Sequence, residues 1–130
     1  MGKCCHQMVN YKTLVLGAST HPERYSHQAV IKLVRSGVDT VPMGMKEGKI
    51  LELPILPFFS ELKDIHTVSI YLSSKHQSAY YDYLIKLNPK RVLFNPGTEN
   101  AEFGTLLSSH GIYWENACTL VLLSTNQYQS

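Results

Sequence analysis

Apolar residues in this chain come in short bursts that alternate between two spacings. Thr13 to Leu16 is an apolar, β-branched run cut off by Gly17, the mark of a buried strand. From Ser26 to Ser36 the spacing changes. Ala29, Val30, Leu33 and Val34 fall on one helical face, with Ser26 as N-cap and Gly37 as stop. Val38 to Met43 predicts a second strand. Gly44 to Phe59 is rich in Pro and Gly and irregular, with Ile55 and Leu56 as a short extended piece. Ser60 to Asp64 reads as one helical turn, and Thr67 to Leu72 as a third strand. Ser74 with Gln77 has the capping-box pattern, predicting a helix that carries Tyr80, Tyr83, Leu84 and Leu87 and ends before Pro89. Arg91 to Phe94 is a fourth strand. Thr98 to His110 is a helix with Phe103, Leu106 and Leu107 inward, stopped by Gly111, and Ile112 to Trp114 is a fifth strand. Ala117 to Ser124 is apolar, and periodicity leaves strand and helix both open.

Strands alternating with helices imply right-handed crossovers, hence a doubly wound α/β fold with a five-stranded, mostly parallel sheet. The expected division is a flexible tail over residues 1–11 and one domain over residues 12–130. In such sheets a ligand sits beyond the carboxyl ends of the strands, where the strand order reverses. The loops that matter are then Gly17 to Ser26, Pro42 to Gly48, Leu72 to Lys75 and Asn95 to Thr98.

Composition narrows the function classes. The 130 residues are 44% hydrophobic and 17% charged, so the chain can bury an ordinary core. The longest apolar run, Leu120 to Leu123, is far short of the roughly 20 residues of a membrane span. A formal net charge of +2 with no basic block argues against nucleic acid as a partner. Cys4, Cys5 and Cys118 are an odd set that suits a reducing cytoplasm better than a disulfide framework. The start, MGKCCHQMVN, lacks the apolar core of a secretory signal, and His6 departs from a lipidation motif.

The first loop carries the most chemistry. Gly17 lets the backbone turn sharply, and small Ala18 and Ser19 let a ligand approach the main chain. The following helix directs free amides and a partial positive charge to this spot, which suits a phosphate; Ser19 adds a hydroxyl and Arg24 a charge. A tight turn with no ligand is the alternative. In the second loop, no acid ends the strand to hold a ribose diol, and Lys46 follows soon after. A cation there favours a ribose phosphate, as in NADP or coenzyme A; a solvated lysine is the plain alternative. Met43 and Met45 either flank an adenine or fill packing gaps. Asn95 and Thr98 either cap the next helix or meet the ligand, and the helix macrodipole accounts for Glu99, Asn100 and Glu102.

Catalytic machinery is sparse. None of the six histidines lies beside a nucleophile and an orienting acid. His21 and His27 are near the expected ligand, with surface or capping roles as the simpler reading. Asp39, Asp64 and Asp82 are scattered, which argues against a bound metal. Cys118 is either a packed thiol or an exposed one near the ligand rim.

The GAS-x-x-P-x-R-x-S string at Gly17 to Ser26 resembles the phosphate loop of Rossmann-type CoA-binding domain proteins, relatives of the CoA-binding domain of the succinyl-CoA synthetase alpha subunit. The resemblance runs from about Lys12 to Thr125, through VPMGMKEGKI, VLFNPGTEN and ENACTLVLLST. It implies a Rossmann-like domain with coenzyme A as ligand. Gly17, Ala18 and Ser19 would hold the pyrophosphate, with Arg24 and Ser26 nearby. Pro42, Met43 and Gly44 would line the adenosine side, and Lys46 would approach the 3′-phosphate. Leu72 and Ser73 would flank the pantetheine arm, and Asn95, Pro96 and Gly97 would form the far wall. Met43-Gly44 departs from the Asn-Pro that many relatives carry after the second strand.

The expectation is a small cytoplasmic protein, not an enzyme, that binds coenzyme A or an acyl-CoA as carrier, sensor or partner subunit. The alternatives are an NADP-dependent or CoA-linked enzyme subunit that needs a partner chain, and an interaction module with a vestigial nucleotide pocket.

Overall fold

Short apolar runs become short strands, and their order sets everything above them. The computed structural model describes residues 10–129. Along the chain come β1 (Thr13–Leu16), α1 (Tyr25–Arg35), β2 (Thr40–Met43), β3 (Lys49–Ile50), β4 (Leu53–Pro54) and β5 (Thr67–Ile70). Then follow α2 (Tyr81–Leu87), β6 (Arg91–Phe94), α3 (Ala101–Ser109), β7 (Tyr113–Asn116) and α4 (Thr119–Ser124). Five strands form one sheet in the order β2-β1-β5-β6-β7, every pair parallel, while β3 and β4 form a separate antiparallel hairpin. This is the doubly wound α/β architecture that the alternation predicts. The readings of Cys4, Cys5 and His6 lie outside the described residues.

All residues of β1, β5 and β6 are buried, as parallel strands covered on both faces must be. Alternate side chains feed two cores. Leu14, Leu16, Ile70 and Phe94 pack with Leu84 of α2 and with Phe103 and Leu107 of α3. Val15 and Leu93 pack with Val30 and Leu33 of α1 and with Tyr128. Beyond β2 the sheet gains one parallel bridge, Met43 to Leu56, so the extended piece expected at Ile55 and Leu56 is a vestigial outer strand. The Leu56 amide donates to the Pro42 carbonyl at 3.0 Å. A residue's N–H and C=O point the same way in a strand, so the N–H that Pro42 lacks also falls on this lightly paired edge.

Several boundaries differ from expectation because tertiary contacts outbid local signals. Arg24 is the N-cap of α1, and Ser26 lies buried in the first turn. The Ser74–Gln77 capping box does not form: two 3₁₀ turns precede α2, and the Gln77 side chain donates to the carbonyls of Leu72 and Thr98. Ser60 to Asp64 is not helical; the Tyr83 hydroxyl donates to the Ser60 carbonyl and holds the segment open. The cap of α3 is Asn100, whose side chain accepts from the Phe103 amide at 3.0 Å. Val38 and Ile112, read as strand starts, instead donate to the ends of the preceding helices through Leu33 and Leu107. The apolar Ala117–Ser124 run is helical from Thr119.

Tyr11, assigned to the tail by sequence, belongs to the packed structure. At the amino edge of the sheet Arg91 is buried without a carboxylate partner among the described residues. Its Nε donates to Thr67, its Nη1 donates to the Tyr128 carbonyl at 2.9 Å, and the guanidinium lies over the rings of Tyr11 and Tyr128. His66 sits 4.3 Å from the Tyr11 ring, centroid to centroid. Burial first, then the charges of Arg91 and Lys90, hold its pKa below the ordinary 6.5.

The unfolded chain therefore binds a proton at His66 that the folded chain resists, and stability falls as pH drops through the ordinary histidine range. Urea midpoints should decline from pH 7.5 to 5.5, and His66→Gln should flatten that decline. An unchanged pH dependence in the variant would remove His66 from this account.

Candidate functional site

Strand order reverses between β1 and β5, because β2 lies on one side of β1 and the later strands on the other. The carboxyl ends of β1 and β5 therefore flank the crevice where ligands of such sheets bind. Gly17 ends β1 with φ +100°. A Cβ there would lie 3.2 Å from both the Tyr71 carbonyl carbon and the Leu72 side chain, so the turn needs glycine for conformation and for space. It brings the loops after β1 and β5 into contact.

A second contact locks the other side. The amides of Gly17 and Ala18 both donate to the Met43 carbonyl, at 2.8 and 2.9 Å. A Cβ on Gly44 would stand 2.2 Å from the Ala18 carbonyl oxygen, and one on Gly48 would stand 2.3 Å from the Thr20 methyl. Gly44 in turn donates to Leu56, and Ile55 donates to Gly48. The loop after β2 is thus clasped to the loop after β1 along its length.

This clasp redistributes the expected phosphate ligands. Gly17 and Ala18 have spent their amides on Met43. The amides of Ser19, Thr20, Tyr25 and Ser26 have no hydrogen-bond partner among the described residues. The Ser19 hydroxyl accepts from the His21 amide and retains its own proton to donate. The His27 ring bonds the Ser19 carbonyl at 2.8 Å, so His27 positions the loop. Arg24 is exposed, and the only ion pair among the described residues is His21–Glu23.

On the adenosine side the expectation changes more. The Met43 side chain is fully buried in the core on the α2–α3 face, and Pro42 is buried in its strand, so neither can line a ligand. Both act through their carbonyls. Lys46 is exposed, and Met45 is 84% exposed. Leu72 is half-buried against Gly17, and Ser73 is exposed with its hydroxyl 3.0 Å from the His76 ring.

Asn95, expected on the far wall, faces inward. It is 1% exposed, donates to the Ser69 hydroxyl and the Ile70 carbonyl, and accepts from the Thr119 amide at 2.8 Å. Pro96 and Gly97 remain at the surface. Sequence reasoning missed Ser69 and Thr119, polar residues inside apolar runs, and gave Gln77 a capping role in place of its part in this network. Tyr71 was missed too. Its hydroxyl is buried without a hydrogen-bond partner, near Ser69 and Thr119, and burial pushes its pKa up to about 12. Cys118 is half-buried at the N-cap of α4.

Two hollows lie elsewhere, one of about 530 Å³ between α1 and α4 and one of about 750 Å³ beside α2. Neither is lined by the crevice loops. The crevice loops present the unpartnered amides of Ser19, Thr20, Tyr25 and Ser26, the Ser19 hydroxyl and the exposed side chains of Arg24 and Lys46.

Gly44→Ala drives a methyl into backbone rather than into a side chain that can yield. It should destabilise the fold by about 1–3 kcal/mol, read from urea unfolding. Wild-type stability within about 0.5 kcal/mol would mean the clasp is looser than described.

Comparison with known proteins bears on the family and the fold. A model of the CoA binding domain matches residues 11–124. No curated protein matches the chain. The crystal structure of an uncharacterized protein superposes with a TM-score of 0.89 at 38% identity, covering 93% of this chain and 100% of that one. A Thermus thermophilus protein superposes with 0.82 at 18% identity, covering 92% and 91%. A hypothetical protein from Pyrococcus horikoshii OT3 does so with 0.80 at 24% identity, covering 95% and 87%. These last two share the fold. With most of its length matched, this chain belongs to the CoA binding domain family.

Proposed function

We propose that the chain binds coenzyme A along the carboxyl edge of its sheet and serves as a small non-catalytic carrier, sensor or partner subunit of the cytoplasm. The observation that carries this reading is the set of unpartnered amides at Ser19, Thr20, Tyr25 and Ser26, at the strand-order reversal and the start of α1. Helix N-termini hold anions through such amides. The diphosphate lies on this loop, with the Arg24 guanidinium beside it. Gly17 and Ala18 set the path of the loop.

Lys46 is the cation for the 3′-phosphate of the ribose. An NAD site would need an acid where β2 gives way to Gly44, and the first acid is Glu47, beyond Lys46. Leu72 and Ser73 flank the pantetheine arm, which ends near Pro96 and Gly97. The rim supplies little for catalysis. His27 is occupied by the loop, and Tyr71, with its pKa pushed up to about 12, stays protonated and does not serve as a base.

Calorimetry with coenzyme A, dephospho-coenzyme A, NADP and NAD tests the reading. Coenzyme A should bind tightest, ahead of dephospho-coenzyme A by roughly fivefold, the scale of one exposed charge pair. Lys46→Ala should close that gap, and Arg24→Ala should weaken both ligands alike. NAD as the tightest ligand would overturn the reading.

A further inference from the structure

The rim beyond Ser73 bears on what the ligand carries, an inference that rests on the coenzyme A reading above. An acyl chain on the thiol would continue past Ser73 towards the ends of β5 and β6. To be held, it would need an apolar cavity under that rim. The space beneath is instead closed by a polar network. Asn95 ties Ser69, Ile70 and the Thr119 amide together, and Ser69 and Thr119 share a hydroxyl bond of 2.8 Å. Next to it, Gln77 bridges the Leu72 and Thr98 carbonyls at 2.9 and 2.8 Å and accepts from Asn100, which also donates to the Tyr81 hydroxyl.

Asn95, Ser69, Thr119, Gln77 and Thr98 are each at most 4% exposed. Opening a path for hydrocarbon would leave several of these groups buried and unpaired, the costly direction for a hydrogen bond. Above the network the rim is small and solvated: Ser73, Pro96 and Gly97 are exposed.

We propose that the site takes free coenzyme A or a thioester with a short acyl group, leaves the thiol end at the surface, and has no place for a long acyl chain. The thiol end then stays accessible to a second protein or to solvent, as a carrier or a sensor of free coenzyme A requires.

Titration calorimetry on the full chain, with coenzyme A, acetyl-, succinyl- and octanoyl-coenzyme A below micelle-forming concentrations, decides the point. Each methylene enclosed by protein would tighten binding about fourfold. The four affinities should instead agree within about threefold, with no rise along the chain length. Octanoyl-coenzyme A binding tenfold or more tightly than coenzyme A would overturn the inference and leave the coenzyme A reading intact. Failure of all four to bind would sink both.

Discussion

One carbonyl organises the functional end of this molecule. The Met43 oxygen at the end of β2 accepts from both Gly17 and Ala18, and so fixes the loop after β1 against the loop after β2. Neither bond could form with a larger residue at Gly44, where a Cβ would run into the Ala18 carbonyl. Gly17 makes the matching concession towards Tyr71 and Leu72. The switch point of the sheet is therefore a rigid seat, with three loops in backbone contact before any ligand arrives. Binding on such a seat loses little to the ordering of loops.

Glycine at position 44 lets the loop after β2 lie directly on the loop after β1. On the proposed reading, adenosine meets the exposed Met45 and Lys46 and not the buried strand end. The cost of the close approach is that Gly17 and Ala18 have no amides left for phosphate. On the proposed reading that duty passes to the unpartnered amides of Ser19, Thr20 and the first turn of α1.

Much of the fold was readable from the sequence because parallel strands and amphipathic helices write themselves in apolar spacing. The five strands, the flanking helices and the rim loops follow from runs such as Thr13 to Leu16 and Arg91 to Phe94. What escaped was set by long-range polar contacts. Gln77 looks like a capping residue yet bridges two loops, and Asn95 looks like a ligand contact yet braces α4. Met43, read as either an adenine contact or packing, fills the core. In each case a buried partner far along the chain determined the role, and no local pattern encodes such a partner. The hairpin of β3 and β4 was missed for a related reason: two-residue strands lie below any periodicity.

The central claim is that the phosphates of coenzyme A rest on the loop that joins β1 to α1. Amide chemical shifts recorded during a titration with coenzyme A test it at the atoms concerned. The account predicts the largest shifts at Ser19, Thr20, Tyr25 and Ser26, with smaller ones at Lys46 and Ser73 and none along the outer face of α1 near Lys32 and Arg35. Largest shifts on that outer face, with the Ser19–Ser26 loop unmoved, would contradict it.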